Sequence, residues 1–204
     1  MSVIDTIKDE HHLVRRFLDN IEVALDLMEQ GGEVPEQFFG LLTDFSKKFM
    51  DKYHHFKEEY IFFLKLAEKK GGKIDPQIVS LRDQHERGRF LVRNIRQSVA
   101  GYLKKDEVAT AEIMEHLGHF LLLQKQHLNR ENHVFIPMAR QSFDENELKE
   151  FEEEFEREKD RLGADTFQKA EATVNQIAGL LKEKFGAQYR DRLEDLFKNR
   201  SHEE

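Results

Sequence analysis

Three long stretches of this chain carry apolar residues at alternating steps of three and four, and each stripe is broken once by a histidine. Ile4, Ile7, His11, Val14, Leu18, Ile21 and Leu25 form the first, and Ile78, Leu81, His85, Gly88, Val92, Ile95 and Val99 the second. Ile113, Phe120, Leu123, His127, Val134 and Met138 form the third. That period is one face of an α-helix, and a helix with such a face must bury it. The buried face then includes a polar ring that an apolar core rejects unless something pairs with it. The chain must therefore fold as packed helices that bring a partner to each histidine. Glu131, one turn beyond His127, lies within about 40° of the same face, since each residue turns by about 100°.

Loop signals divide the chain. "QGGEVP" (30–35), "KKGGKIDP" (69–76) and "GYLKKDE" (101–107) combine helix-stopping glycines with residues that start the next helix. They leave four long segments, 3–28, 37–68, 76–100 and 107–141. Connections of about three to eight residues favour antiparallel neighbours, which predicts an all-α, up-down-up-down four-helix bundle over residues 1–141. Residues 142–204 read as a C-terminal helical extension packed on the bundle. There Asp144 and Glu147 have capping-box spacing ahead of a helix to about Leu162. Asp165 and Gln168 are placed to cap a further helix, followed by a short one ending near Phe197. Leu148, Phe151, Phe155 and Leu162 form one stripe of the extension, and Phe167, Ala170, Val174, Ile177 and Leu181 another.

The second segment is less cooperative. Its strongest stripe, Phe38, Leu42, Phe45, Phe49, Phe56, Tyr60 and Phe63, lies nearly opposite His54 at helical period, so periodicity alone does not select that histidine. An internal repeat does. "EH" at 10–11 and "HHFKE" at 54–58 are matched by "QH" at 84–85 and "HLNRE" at 127–131. His11 and His54 are 43 residues apart, His85 and His127 are 42 apart, and each second member opens a His-x-x-x-Glu. In an up-down bundle all six groups (His11, His54, Glu58, His85, His127, Glu131) fall in one band about 12–20 Å from the same end. A bound cation accounts for their convergence. His12, His55, His116, His119, His133 and His202 read as surface or peripheral residues, although His55 with Glu59 has the same spacing and is the rival pair.

Composition excludes several classes. There are no cysteines, hence no disulfides, thiolate metal sites or cysteine nucleophiles. Net charge is −8 with no evident basic face, so no nucleic-acid partner is expected. No run approaches the length of a membrane span, and "MSVIDTIKDEHH" lacks the basic start and apolar run of a signal peptide, so a cytoplasmic location is expected.

The stretches "EHHLVRRFLDNI", "HHFKEEYIFF", "QHERGRFLV" and "HLNRENHVFIPMA" together resemble the hemerythrin-like family of histidine- and glutamate-ligated cation-binding proteins. The resemblance implies a non-haem di-iron centre ligated by His11, His54, Glu58, His85, His127 and Glu131, with the two carboxylates bridging the metals. It also implies the register of the second helix, because Glu58 precedes the apolar pair Ile61-Phe62. Nothing in the family pattern covers residues 142–204. Oxygen-carrying members resemble this arrangement but place a second histidine one turn from that of the third helix. Here the flanking positions are Leu81 and Arg89, which leaves four histidines and an open position. Gly88, on the same stripe as His85, provides either room for a small ligand or a close helix–helix approach.

Imidazole and carboxylate without thiolate suit iron, with manganese or zinc as alternatives in the purified protein. Three functions fit. One is reversible oxygen binding or sensing; another is a catalase- or peroxidase-like or nitric-oxide-reducing enzyme; the third is iron storage or a structural metal. The partner is then a small diatomic or peroxide ligand. Four histidines favour the second, predicting a ferrous protein that oxygen oxidises without a lasting coloured adduct.

Overall fold

The computed structural model describes residues 2–200, and every regular element among them is helical. Helix α1 (Val3–Glu29) opens on a reciprocal capping box between Ser2 and Asp5. Helix α2 runs unbroken over 36–69 but is not α-helical throughout. It widens to π geometry over Ser46–His55 and again over Glu58–Phe62. Helix α3 (Asp75–Tyr102) carries Pro76 in its first turn, where the missing N–H costs nothing. Helix α4 spans 107–142; Asp106 accepts the first free amides, from Val108 and Ala109, and a third π turn lies at Glu131–Phe135.

Three more helices follow: α5 (Glu145–Leu162), α6 (Thr166–Phe185) and α7 (Ala187–Arg200). The Asp144–Glu147 capping box forms at the start of α5. The cap expected from Asp165 and Gln168 does not. Asp165 has φ −96° and ψ 8°, not the extended backbone a capping side chain needs, and its carboxylate instead accepts from Lys169 Nζ at 2.7 Å.

The interior divides into two apolar clusters. The smaller gathers Ile4 and Ile7 of α1, Phe62 and Phe63 of α2, Leu81 of α3 and Phe135 of α4. The larger gathers Val14 and Phe17 of α1, Phe45 and Phe49 of α2, Val92 and Ile95 of α3 and Phe120 of α4. Along α1 and α3 the smaller cluster comes first; along α2 and α4 it comes last. Between the two clusters, at the same level on all four helices, stand the histidines and glutamates.

The phenylalanine stripe of α2 does not lie opposite His54. Phe45 stacks on Phe17 of α1 at 4.2 Å between ring centroids, and Phe49 lies nearly parallel to the His54 ring at 6.5 Å. Farther along, Tyr60 is 61% exposed. Each π turn accommodates an extra residue and so shifts the phase of everything beyond it. The same shift in α4 leaves Val134 45% exposed and puts Phe135 into the core in its place.

Ala170, Val174, Ile177 and Leu181 of α6 belong to the larger cluster, and Phe167 meets Phe49 edge-on at 6.0 Å. Phe151 and Phe155 of α5 belong to the smaller. Tyr189 of α7 donates its hydroxyl hydrogen to Asn20 Oδ1 on α1 at 2.8 Å. Ile177 is fully buried in a core it shares with α1 and α2. Ile177→Ala is therefore expected to destabilise the whole chain by about 2–5 kcal/mol. Chemical denaturation followed at 222 nm checks this. A separate early transition with the main one unmoved would mean that α6 folds apart from the bundle.

Candidate metal centre

Every predicted ligand is buried at the waist between the clusters: His11, His54, Glu58, His85, His127 and Glu131 are each at most 2% exposed. Their donor atoms form two groups within 4.8 Å, one of His11, His54, Glu58 and Glu131, the other of His55, Glu58, His85 and His127. Glu58 belongs to both. Its Oε1 lies 3.4 Å from Nε2 of both His11 and His54, and its Oε2 lies 3.7 Å from His85 Nε2. Glu131 also spans the two groups, with Oε2 3.3 Å from His11 Nε2 and Oε1 3.2 Å from His127 Nε2.

His55 corrects the reading of the sequence. It is not peripheral: it is 4% exposed and lies face to face with the His85 ring at 3.7 Å. Its place in the second group raises the histidine count from four to five. Adjacent residues on an α-helix point about 100° apart. The π turn ending at His55 is what lets His54 and His55 both face inward. Glu59, the other half of the rival pair, does not join either group but hydrogen-bonds to one of its members. His12, His119 and His133 are exposed and His116 is half-buried, all four outside the two groups; His202 lies outside the described residues.

Four histidines are clamped from behind. His54 Nδ1 donates to Glu10 Oε2 at 2.9 Å, and His85 Nδ1 to Glu59 Oε1 at 2.6 Å. His127 Nδ1 donates to Gln84 Oε1 at 3.0 Å, and His11 Nδ1 to Asn132 Oδ1 at 2.8 Å. With a proton fixed on Nδ1, each ring turns its Nε2 inward as the atom left to take a metal or a second proton. Such backing hydrogen bonds are the usual way a protein sets the tautomer and orientation of a metal-binding histidine. The sequence signal for them was present: each clamp is the immediate neighbour of a predicted ligand.

The donor set fits a cation and little else. His85 Nε2 and His127 Nε2 stand 2.9 Å apart with both Nδ1 protons committed elsewhere, so two lone pairs face each other. His54 Nε2, His55 Nδ1, Glu58 Oε2 and both Glu131 oxygens are buried without a hydrogen-bond partner among the described residues. Each such group costs about 1–3 kcal/mol unless something pairs with it. Together they would consume most of the stability of about 5–15 kcal/mol that a domain possesses. Without metal, protons must serve. Burial alone would lower the His11 imidazole, but Glu131 and Glu58 outweigh it and raise its pKa to about 10. Burial also pushes His55 well below its ordinary value, helped by the neighbouring His85, so that ring stays neutral.

A cavity of about 290 Å³ between α2, α3 and α4 reaches His55 and His85 from the surface. Gly88 lines it, and a Cβ at that position would stand 2.8 Å from Gln124 Nε2.

Two outcomes are expected. His55→Ala should weaken metal binding at least as much as loss of a backing hydrogen bond does, about 10–100-fold, while His133→Ala leaves it unchanged; elemental analysis after dialysis checks both. Metal must also displace the His11 proton, which the metal-free protein holds below pH about 10. Binding at neutral pH should therefore release protons, and affinity should rise with pH. Calorimetry in buffers of different ionisation enthalpy reads the released protons, and a buffer-independent heat would contradict this.

The chain is 25% identical over 174 residues to an uncharacterized protein of Mycobacterium bovis and to uncharacterized proteins from two strains of Mycobacterium tuberculosis. The matched region is 85% of this chain and 66% of the length of each relative. No solved structure matches. The family model of the hemerythrin HHE cation-binding domain matches residues 2–139, which takes in every residue of both donor groups, and the chain belongs to that family of metal-binding helical proteins.

Proposed function

We propose that this chain holds two iron ions side by side and uses them to bind or react with dioxygen, peroxide or nitric oxide. The observation that carries the reading is the pair of four-donor groups that share Glu58. Each group offers fewer side-chain donors than the six an octahedral ion accepts, which leaves room for a small ligand. Imidazole and carboxylate without thiolate suit iron, which when bound supplies one-electron redox chemistry at open coordination positions. The protein's part is to hold five rings and two carboxylates in place and to keep bulk water away with an apolar cluster on either side. The alternating order of those clusters along α1 to α4 supports an up-down-up-down bundle as the frame.

His55 favours a second reading, reversible oxygen binding. Peroxide consumption follows from a missing fifth histidine, and α2 supplies one where α3 does not. Leu81 lies in the smaller apolar cluster, and Arg89 pairs with Asp51, Glu59 and Glu86, so neither position flanking His85 offers a ligand.

Protein reconstituted anaerobically with ferrous iron is expected to hold close to two irons per chain. One iron at saturation would overturn the two-metal reading. Exposing that sample to oxygen then separates the two functions. Colour that bleaches under vacuum identifies reversible binding, whereas irreversible oxidation with accelerated loss of added peroxide identifies turnover.

A further inference from the structure

We propose that the cavity beside His55 and His85 is a binding site for a small organic anion, with a carboxylate or phosphate-ester head at its mouth, an apolar body, and a polar atom at its inner end. Its volume of about 290 Å³ is the first reason. A diatomic molecule needs little more than the roughly 30 Å³ a water occupies, whereas pockets for organic ligands begin near about 300 Å³.

Charge is the second. Lys47, Arg93 and Arg96 line the mouth, are exposed, and form no ion pair among the described residues. Arg89, Arg93 and Arg96 follow one another at helical spacing on α3, a basic stripe that the overall charge of −8 conceals. Arg89 is already engaged by Asp51 at 2.5 Å and Glu59 at 3.1 Å. The other cations are free to receive an anion, and against an acidic surface they steer one to this opening.

The inner wall gives the third. Met50, Val92 and Phe120 form its apolar part. Ser46 Oγ is buried there without a hydrogen-bond partner, and Gln124, 2% exposed, makes no side-chain hydrogen bond among the described residues. Metal ions at the two donor groups would satisfy His55 but neither of these. The buried Ser46 hydroxyl and the Gln124 amide, whose side chain lines the cavity, are left for a partner that arrives from outside.

The proposal rests on the di-iron reading only in placing the ligand's inner end beside a metal; the binding itself is read separately. Iron-loaded protein is titrated calorimetrically at low salt with 6-hydroxyhexanoate, hexanoate, hexyl phosphate and neutral hexane-1,6-diol, and its iron content is recorded. Saturable binding of 6-hydroxyhexanoate is expected, tighter than hexanoate or the diol and weakened by salt. Tighter binding of hexyl phosphate than of hexanoate assigns the phosphate-ester class, and the reverse assigns the carboxylate. The surface variant Arg93→Gln/Arg96→Gln should weaken all the anions about tenfold and leave the diol unchanged. Gln124→Leu should reduce 6-hydroxyhexanoate to the affinity of hexanoate. If no anion binds below about 10 mM while iron stays near two per chain, the cavity proposal falls and the metal reading stands. If the anions bind but the iron does not load, the reverse holds. If the arginine variant binds the anions as wild type does, the charge argument is overturned.

Discussion

The structure depends on burying five imidazoles and two carboxylates without letting them find the wrong partners. Four hydrogen bonds hold four of those rings, and they form a closed circuit. Glu10 on α1 holds His54 on α2, and Glu59 on α2 holds His85 on α3. Gln84 on α3 holds His127 on α4, and Asn132 on α4 holds His11 on α1. Every helix thus presents a ring and clamps the ring of the next. No helix can rotate or slide without pulling a neighbour's histidine out of line. The two apolar clusters supply most of the folding free energy, but they are non-directional, and the circuit is what fixes the register at which the helices meet.

The π turns follow from that demand. An α-helix presents one inward residue per turn at a given level, yet α2 must turn both His54 and His55 inward and still return Ile61 and Phe62 to the core. Widening over Ser46–His55 and Glu58–Phe62 achieves this, and α4 does the same once, at Glu131–Phe135. The π segments therefore sit at donors and nowhere else among the described residues. Wider turns carry poorer backbone geometry than α-helix, and they persist where the surroundings over-determine them.

This also explains what the sequence could show. The helices of the first 142 residues were legible because their glycine and proline signals and their 3.6-residue period are local. His11, His85 and His127 were legible because each interrupts a straight apolar stripe. His54 needed the internal repeat, since the period fails in a π segment, and His55 was placed outside for the same reason: a helical wheel drawn at 100° per residue cannot point two neighbours the same way. The clamps Glu10, Glu59, Gln84 and Asn132 were readable only as neighbours of ligands. What each one touches lies on another helix and depends on a register that no local pattern encodes. Asp165 failed as a cap because capping depends on backbone angles, which the spacing to Gln168 does not determine.

The internal repeat extends to charge. Each donor group contains one histidine held by a carboxylate and one held by a neutral amide: His54 by Glu10 and His11 by Asn132 in one, His85 by Glu59 and His127 by Gln84 in the other. Each clamping carboxylate is in turn matched by a cation. Lys57 Nζ donates to Glu10 and lies 3.7 Å from the centre of the Tyr53 ring, and Arg89 donates to Glu59. Burial would raise both carboxyls, but Lys57 and His54 hold Glu10 low, and His85 and Arg89 hold Glu59 low. A carboxylate behind an imidazole makes it a stronger donor, and a cation behind the carboxylate moderates that effect. The two halves are therefore electrically alike until His55 is counted. That ring has no clamp, stacks on His85, and opens on the cavity. Among the described residues it is the one ring of the two groups without a backing hydrogen bond, and it stands where a molecule from outside would arrive, so the asymmetry that distinguishes the two halves of the site resides in a single side chain.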